Sequence, residues 1–411
     1  MSFLRPHWKQ SVFLFLGSLI FFAIEVQYPV AKVYDEFHYV PASKNIVSTW
    51  TNTNWEHPPL AKWIMGAGIV IFGDEPVGWR SMSVLFGALT IWGMYALAMA
   101  LFQKKSTALW VALLTIANQM VYVQARIGML DTFMVAFMVW GMAAWVYTLQ
   151  KSVKTLTLPI LGGIAFGCAT ACKWYGVIPW VFCVGAAVAF MPIKLSKVPF
   201  KTLLVAGVIV PVITYAISYL PQLHEATGLV DAFQKWWHFQ TESYGGQLRV
   251  VDKHNYMSDW ITWPWMSRPI WYAFERDGEF VRCILMMGNP LIMWTGLVAV
   301  LMLIPDVLPR PKSMAPLWIL LAYGALYLCW GVIPRKIAFY YYYYPAALIL
   351  NLALAHCFFS REKKGNIYWK RPSFWFLMAS ISVFIYFFPI LSGMRIAPES
   401  FRDWMWFRSW I

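Results

Sequence analysis

Charge is what this sequence has least of. Lys, Arg, Asp and Glu make up 13% of its 411 residues, against about a quarter in soluble domains. Hydrophobic residues reach 60% and aromatic ones 18%, which excludes an ordinary soluble enzyme. The apolar residues fall in uninterrupted runs of about twenty, the length that spans a bilayer as helix. Acidic residues are scarcer still, 19 against 33 basic, for a net charge of +14. The basic residues form no single face or stripe, so the charge does not point to nucleic acid. Cysteine is limited to Cys168, Cys172, Cys183, Cys283, Cys329 and Cys357, all within or at the ends of apolar segments. No disulfide framework is implied, and Cys168 and Cys172, on one helix face, read as small apolar packers. Internal repeats, low-complexity linkers and a separate soluble domain are all missing. The first apolar segment is followed by no small-residue cleavage site and reads as a retained helix.

What is present is an all-α polytopic membrane pattern. Eleven helices are expected, at about 11–27, 81–102, 107–122, 129–149, 157–171, 176–192, 202–220, 283–304, 314–332, 337–358 and 373–391. With the N-terminus inside, the inner connections carry Arg5 and Lys9, Lys104 and Lys105, then Lys151 and Lys154. Lys194, Lys197 and Lys201 follow, then Arg310 and Lys312, and finally Arg361, Lys363, Lys364, Lys370 and Arg371. Every inner turn is basic, as the positive-inside rule requires. Two long connections, 28–80 and 221–282, and the C-terminal tail then lie outside. The expected organisation is an N-terminal membrane module (1–220), a Trp-rich external loop (221–282), and a four-helix module with an external tail (283–411).

A charged side chain in hydrocarbon costs roughly 2.5–3.5 kcal/mol on insertion scales, so each one near a helix needs a reason. On the outer side Asp35 and Glu36 follow the first helix, and Arg126 and Asp131 bracket "ARIGMLD". Lys173 and Trp174 sit in "ACKWYG", and Arg335 and Lys336 open "RKIAFYYYYYP". A single such cation snorkels to head groups as its default. The Tyr340–Tyr344 run reads as an interfacial aromatic belt, and the Trp cluster at 259–271 as an interfacial helix. Three outer turns holding cations, opposite a loop holding two carboxylates, favour a site.

Cations at a membrane surface suit a phosphate, Arg as a fork and Lys as a point charge, and a nearby carboxylate suits a base for a hydroxyl proton. Together they describe a transferase acting on a lipid phosphate. Adjacent residues diverge, so Asp35 and Glu36 do not flank one bond as a glycosidase pair does; one is the base and the other a structural or substrate-holding partner. His57, with Asp35, Glu36 and His38, would suit Mn²⁺ or Mg²⁺, but Asp-Glu-x-His is no specific metal spacing. Pro58 and Pro59 fix a rigid turn, followed by Lys62 and an amphipathic stretch at 60–72 along the membrane.

In order, "YDEFHY", "HPPLAKWIMGAG", "FGDEPVGWR", "ARIGMLD", "ACKWYG", "MGNP" and "RKIAFYYYYYP" resemble the bacterial protein O-mannosyltransferases, relatives of the eukaryotic dolichyl-phosphate-mannose–protein mannosyltransferases. The resemblance runs from about residue 30 to 350. It implies a C-type membrane glycosyltransferase fold with eleven helices and an external active site. It implies transfer of mannose from a polyprenyl-phosphate donor to Ser or Thr hydroxyls of proteins, with inversion and without a metal. Carried over by position, Asp35 matches the family's base and Glu36 its partner, Arg126 matches the arginine of its Arg-x-x-x-x-Asp segment near the donor phosphate, and Lys173 the lysine of its Lys-Trp motif; both cations oppose the charge bias of short outer loops and are expected to hold the phosphate. Arg335, with Lys336 behind it, falls at a basic position before an aromatic run. Eukaryotic members carry a large soluble domain in the second long loop; here that loop has only about sixty residues, with His224, His238 and His254 scattered through it. The mannose assignment and the protein acceptor thus rest on the resemblance.

Two other classes compete. A sister enzyme of the same fold would pass a sugar to a lipid or glycan, as in transferases that decorate lipid A with aminoarabinose; the Arg126 segment, Gly78-Trp79-Arg80 and Lys173-Trp174 favour the protein-acceptor side. A transporter would place its charges and broken helices near the bilayer midplane and show repeats, whereas these charges sit at the outer rim. The expected setting is the plasma (inner) membrane, with the site on its periplasmic or extracellular face.

Overall fold

The computed structural model describes residues 8–150, 155–249, 254–311, 313–335, 337–361 and 370–411. Arg5, Lys151, Lys154, Lys312, Lys363, Lys364 and the expected site residue Lys336 lie outside the described residues. The protein is a mostly helical, multi-pass membrane protein. Among the described residues seven helices are long and apolar enough to cross a membrane: Pro76–Phe102, Leu130–Gln150, Phe200–Ile217, Pro290–Val307, Met314–Gly331, Tyr340–Ser360 and Pro372–Ser392. Five shorter apolar helices join them.

This division differs from eleven equal spans, because polar caps interrupt the apolar runs. The segment expected at 107–122 breaks into Lys105–Ile116 and Gln119–Gln124. The break is Asn118, whose side chain accepts from the Met120 N–H at 3.1 Å and so caps the second piece. The segment expected to begin at 283 begins as a strand, and its helix starts only at Pro290. There Asn289 accepts from the N–H groups of Leu291 and Ile292 while its amide donates to the carbonyls of Ala117 and Ser380, each at 2.9 Å. One side chain thus caps one helix and ties it to two others.

The two long connections are structured. The first carries the helices Glu36–Thr49 and Leu60–Phe72, the second of them the amphipathic stretch expected at 60–72. The second connection departs from the all-α expectation. It holds an amphipathic helix, Leu229–Arg249, and an antiparallel hairpin of β1 (Ile270–Asp277) and β2 (Phe280–Met286). The register pairs Ile270 with Met286 and Asp277 with Phe280. Gly278 sits at φ +64° in the turn, a conformation an L side chain rarely adopts. A short β3 (Arg395–Ile396) from the C-terminal tail completes the sheet in the order β1-β2-β3.

The tail then packs against the hairpin and the 259–271 segment. Trp410 donates to the Met266 carbonyl at 2.7 Å, and Trp271 to that of Trp410 at 2.9 Å. The 259–271 Trp cluster divides: Trp263 is buried, edge-on to Trp330 and Tyr342, while Ile261 and Trp265 stay exposed. The helix Leu229–Arg249 presents Leu229, Phe233, Trp237 and Leu248 as an exposed apolar stripe, the pattern of a helix suited to lie along an interface.

Candidate active site

The adjacent carboxylates part company at a helix N-terminus. Asp35 is the N-cap of Glu36–Thr49 and Glu36 its first residue, and one helical step turns the side chain about 100°. Glu36 points into the protein and is fully buried, as is Arg80 on the helix Pro76–Phe102. Its Oε1 accepts from Arg80 Nε and from the Gly128 N–H, both at 2.7 Å. Its Oε2 accepts from Arg80 Nη2 at 2.8 Å and the Val33 N–H at 3.0 Å. Arg80 spends its other donors on the carbonyls of Val26, Pro29 and Ala31. This hub fixes the chain on both sides of Asp35 and ties it to the 126–130 turn.

Asp35 faces the other way and stays partly exposed. Its Oδ2 accepts from Tyr39 OH at 3.1 Å, one helical turn on, and from Tyr341 OH at 3.4 Å. Burial pushes its carboxyl above the usual carboxylate range; the charge of Lys173 and the Tyr39 hydroxyl pull it back, and Asp131 adds to the rise.

Lys173 caps the end of the helix Thr157–Cys172. It donates to the buried Asp131 at 2.8 Å and lies over the Tyr341 and Tyr342 rings at 4.9 and 5.2 Å. Tyr175 OH donates to the other oxygen of Asp131. Arg335 lies over the opposite part of the same aromatic group, 4.8 Å from the Tyr342 ring, with its Nε on the Ile337 carbonyl. The Tyr340–Tyr344 run is thus no exterior belt: all five rings are buried, and two of them form the floor under two cations.

Lys173 and Arg335 line one cavity of about 880 Å³ of open space. His57 joins them, and Val177, Ile178, Leu248, Trp330 and Ile333 make its apolar wall. The His57 imidazole is pushed well below its ordinary value by burial and by the charges of Lys173, Lys62 and Arg335, so it is neutral there. Trp174 anchors the cavity to the second long connection through Tyr215 OH (2.9 Å), which donates to Gln240 at 2.6 Å.

Four expected residues lie elsewhere. Arg126 does not line this cavity. It sits over the Tyr122 ring at 4.8 Å and bonds that residue's hydroxyl. Burial pushes its guanidinium down to about 10, Glu25 opposing and Arg80 adding to the shift. Lys62 is buried and donates to the carbonyls of Asn54 and His57, so it holds the loop together. Pro58 and Pro59 are buried, Pro59 as the N-cap of Leu60–Phe72. Among the described residues no three His, Cys, Asp or Glu side chains gather as a metal site; Glu36 is turned to Arg80, away from His57. Sequence reading passed over Arg80, Gly128 and Tyr39 as site residues. Tyr39 carries a signal, since i and i+4 share a helix face, but only once 36–49 is seen as helix.

Comparison with known proteins matches this chain to two family models. One, described as dolichyl-phosphate-mannose-protein mannosyltransferase, covers residues 12–240. The other, the C-terminal four TMM region of protein-O-mannosyltransferase, covers 232–410. The polyprenol-phosphate-mannose–protein mannosyltransferase of Corynebacterium glutamicum is 26% identical, over 92% of this chain and 88% of its own. The Mycolicibacterium smegmatis protein of the same name is 23% identical over 92% and 87%. Among solved structures, the S. cerevisiae protein O-mannosyltransferase Pmt1-Pmt2 complex bound to the sugar donor superposes with a TM-score of 0.81 at 15% identity. That match covers 98% of this chain and 93% of the other. ArnT from Cupriavidus metallidurans bound to undecaprenyl phosphate gives 0.61 at 16%, over 92% and 70%. These two share the fold, the C-type membrane glycosyltransferase architecture.

Proposed function

The chain belongs to the dolichyl-phosphate-mannose-protein mannosyltransferase family, and from that membership and the geometry of the outer cavity we propose that it transfers mannose from a polyprenyl-phosphate donor to Ser or Thr hydroxyls of proteins. The observation that carries this reading is the pairing of Lys173 and Arg335 on an apolar-walled cavity with the carboxylate of Asp35 in the same cluster. The apolar wall takes the first isoprenes of the donor, and the two cations take its phosphate. Lys173 keeps N–H donors beyond the one on Asp131, and Arg335 offers a fork.

The acceptor hydroxyl oxygen attacks the anomeric carbon from the face opposite the phosphate. A carbon–oxygen bond forms there, and the bond to the phosphate oxygen breaks with inversion. Polyprenyl phosphate leaves with the electron pair, held by the cations, and the hydroxyl proton passes to Asp35. A base with a raised pKa suits this step better than an ordinary carboxylate. Glu36, with both oxygens occupied by donors, holds Asp35 in place. The basic inner turns put the N-terminus in the cytoplasm and the cavity on the outer face of the plasma membrane.

The test is transfer from labelled polyprenyl-phosphate-mannose by purified full-length protein, offered Ser/Thr-rich peptides and, separately, a membrane lipid extract. Label on peptide, lost in Asp35→Asn, supports the reading. Label on lipid sinks the protein acceptor and points to the sister-enzyme chemistry.

A further inference from the structure

A second cleft opens beside the first, outside the Lys173 cavity. It lies between the 50–55 segment of the first external connection and the 219–243 part of the second, with about 1110 Å³ of open space. The wall between cleft and cavity is the strand of chain at Trp55–Glu56, clamped to the helix Leu229–Arg249. Ser243 Oγ donates to the Trp55 carbonyl at 2.5 Å and Gln247 Nε2 to that of Glu56 at 2.7 Å. Asn52 lines the cleft and donates to the His57 carbonyl at 3.2 Å, so the two spaces share a wall that ends at His57.

The lining has a particular chemistry. Trp50 closes the preceding helix in the left-handed region (φ 61°) and presents its indole edge-on to His224, ring centroids 5.2 Å apart. Tyr219 and Phe239 stack on the other side at 6.2 Å. Asn52 Oδ1 and Gln222 Nε2 are buried atoms of lining residues, and neither has a hydrogen-bond partner among the described residues. They are an acceptor and a donor, the two needs of a peptide group, which a bound segment meets once these side chains turn into the cleft. His224, Glu225, His238 and Glu242 also line the cleft, and four ionisable side chains do not suit an acyl chain.

We infer that this cleft seats the acceptor polypeptide as an extended segment, its main chain meeting Asn52 and Gln222 and its side chains packing on Trp50. Aromatic-lined grooves take extended, proline-containing segments because little ordering entropy is lost on binding. The segment enters through the cleft and reaches the cavity past His57. The inference rests on the proposed protein acceptor and adds where that acceptor binds.

The experiment measures binding without chemistry. A fluorescein-labelled Ser/Thr/Pro peptide is titrated with purified full-length protein in detergent, donor absent, and read by anisotropy; transfer to the same peptide is assayed in parallel. Trp50→Ala and, as a second position, His224→Ala are expected to raise peptide Kd and KM by roughly tenfold for Trp50→Ala and less for His224→Ala. Donor KM and kcat at saturating peptide stay within about twofold. Unchanged peptide Kd in both variants, with transfer intact, overturns the cleft and leaves the transferase reading standing. Peptide binding that the variants weaken, with no transfer from any mannosyl donor, supports the cleft and sinks that reading.

Discussion

The sharpest consequence of the geometry is that neighbouring carboxylates respond oppositely to neutralisation. Glu36 and Arg80 have fully buried side chains, and Glu36 accepts four hydrogen bonds, two of them from backbone N–H groups. Glu36→Ala leaves the Arg80 charge buried against three carbonyls with no counter-ion, a loss of about 3–5 kcal/mol. Glu36→Gln keeps the shape but turns an N–H₂ towards donors, and is expected to fall slightly short of that. Asp35→Asn removes a charge that burial already disfavours. The sign follows from linkage. The folded pKa of Asp35 is raised, so the fold prefers its protonated form and stability declines as pH rises from the ordinary Asp range through the folded pKa. At neutral pH Asp35→Asn is therefore expected to hold or raise the thermal midpoint while lowering kcat on the order of 10²–10⁴-fold. The assay is thermal unfolding in detergent, followed by monodispersity, beside single-turnover transfer. Glu36→Met with Arg80→Met tests the same logic, since removing both charges is expected to cost less than either single change predicts, with a coupling of roughly 0.5–3 kcal/mol. Additive losses, or an Asp35→Asn variant less stable than Glu36→Gln, would refute the division of labour.

Other outcomes follow from the same contacts. Arg335→Ala is expected to raise donor KM, whereas Arg126→Ala leaves donor KM unchanged, because Arg126 sits on Tyr122 outside the cavity; parallel donor titrations decide it. Tyr39→Phe removes a hydrogen bond that lowers the Asp35 pKa, so the acidic limb of kcat/KM should move to higher pH with donor KM unmoved; a limb that stays put removes Asp35 as the group it reports. Gly176→Ala brings a Cβ to 2.5 Å from the Ala169 carbonyl group, which is backbone and cannot swing away. It should shift the Lys173 turn and lower the thermal midpoint, and a variant as stable and active as the parent contradicts that packing. Cysteines placed at Phe233 and Trp237 should react with a lipid-phase label in preference to a water-soluble one if the stripe of Leu229–Arg249 lies on the membrane.

Much of this was legible in the sequence, and the illegible parts have physical causes. Apolar runs and basic turns located helices because hydrocarbon penalises charge wherever it falls, a signal that needs no tertiary contact. Breaks at Asn118 and Asn289 were missed because a side-chain cap weighs little in an average over twenty residues. The Tyr340–Tyr344 run was misplaced because membrane-interface aromatics and buried ones have the same composition; only the packing of Lys173 and Arg335 against those rings tells them apart. Asp35 and Glu36 cannot be sorted from sequence adjacency alone. Helix phase separates them, and phase requires knowing that the helix starts at Glu36.

Unused valence separates a charge that holds the fold from one that does chemistry. Glu36 has both oxygens filled, Arg80 has its donors on a carboxylate and three carbonyls, and Lys62 has its ammonium on loop carbonyls; each is spent in the resting protein. Asp35 differs, since among the described residues both its hydrogen bonds fall on Oδ2 and none reaches Oδ1. Lys173 commits one N–H to Asp131, and Arg335 commits only its Nε. The two unspent cations line the cavity, and the unspent proton acceptor, Asp35, joins them through Tyr341, which bonds Asp35 and lies under Lys173; together they are the set that the proposed transfer from a lipid phosphate to a hydroxyl requires. Their spatial coincidence, drawn from segments as far apart as residues 35 and 335, is a stronger argument for the site than any of the motifs that contain them.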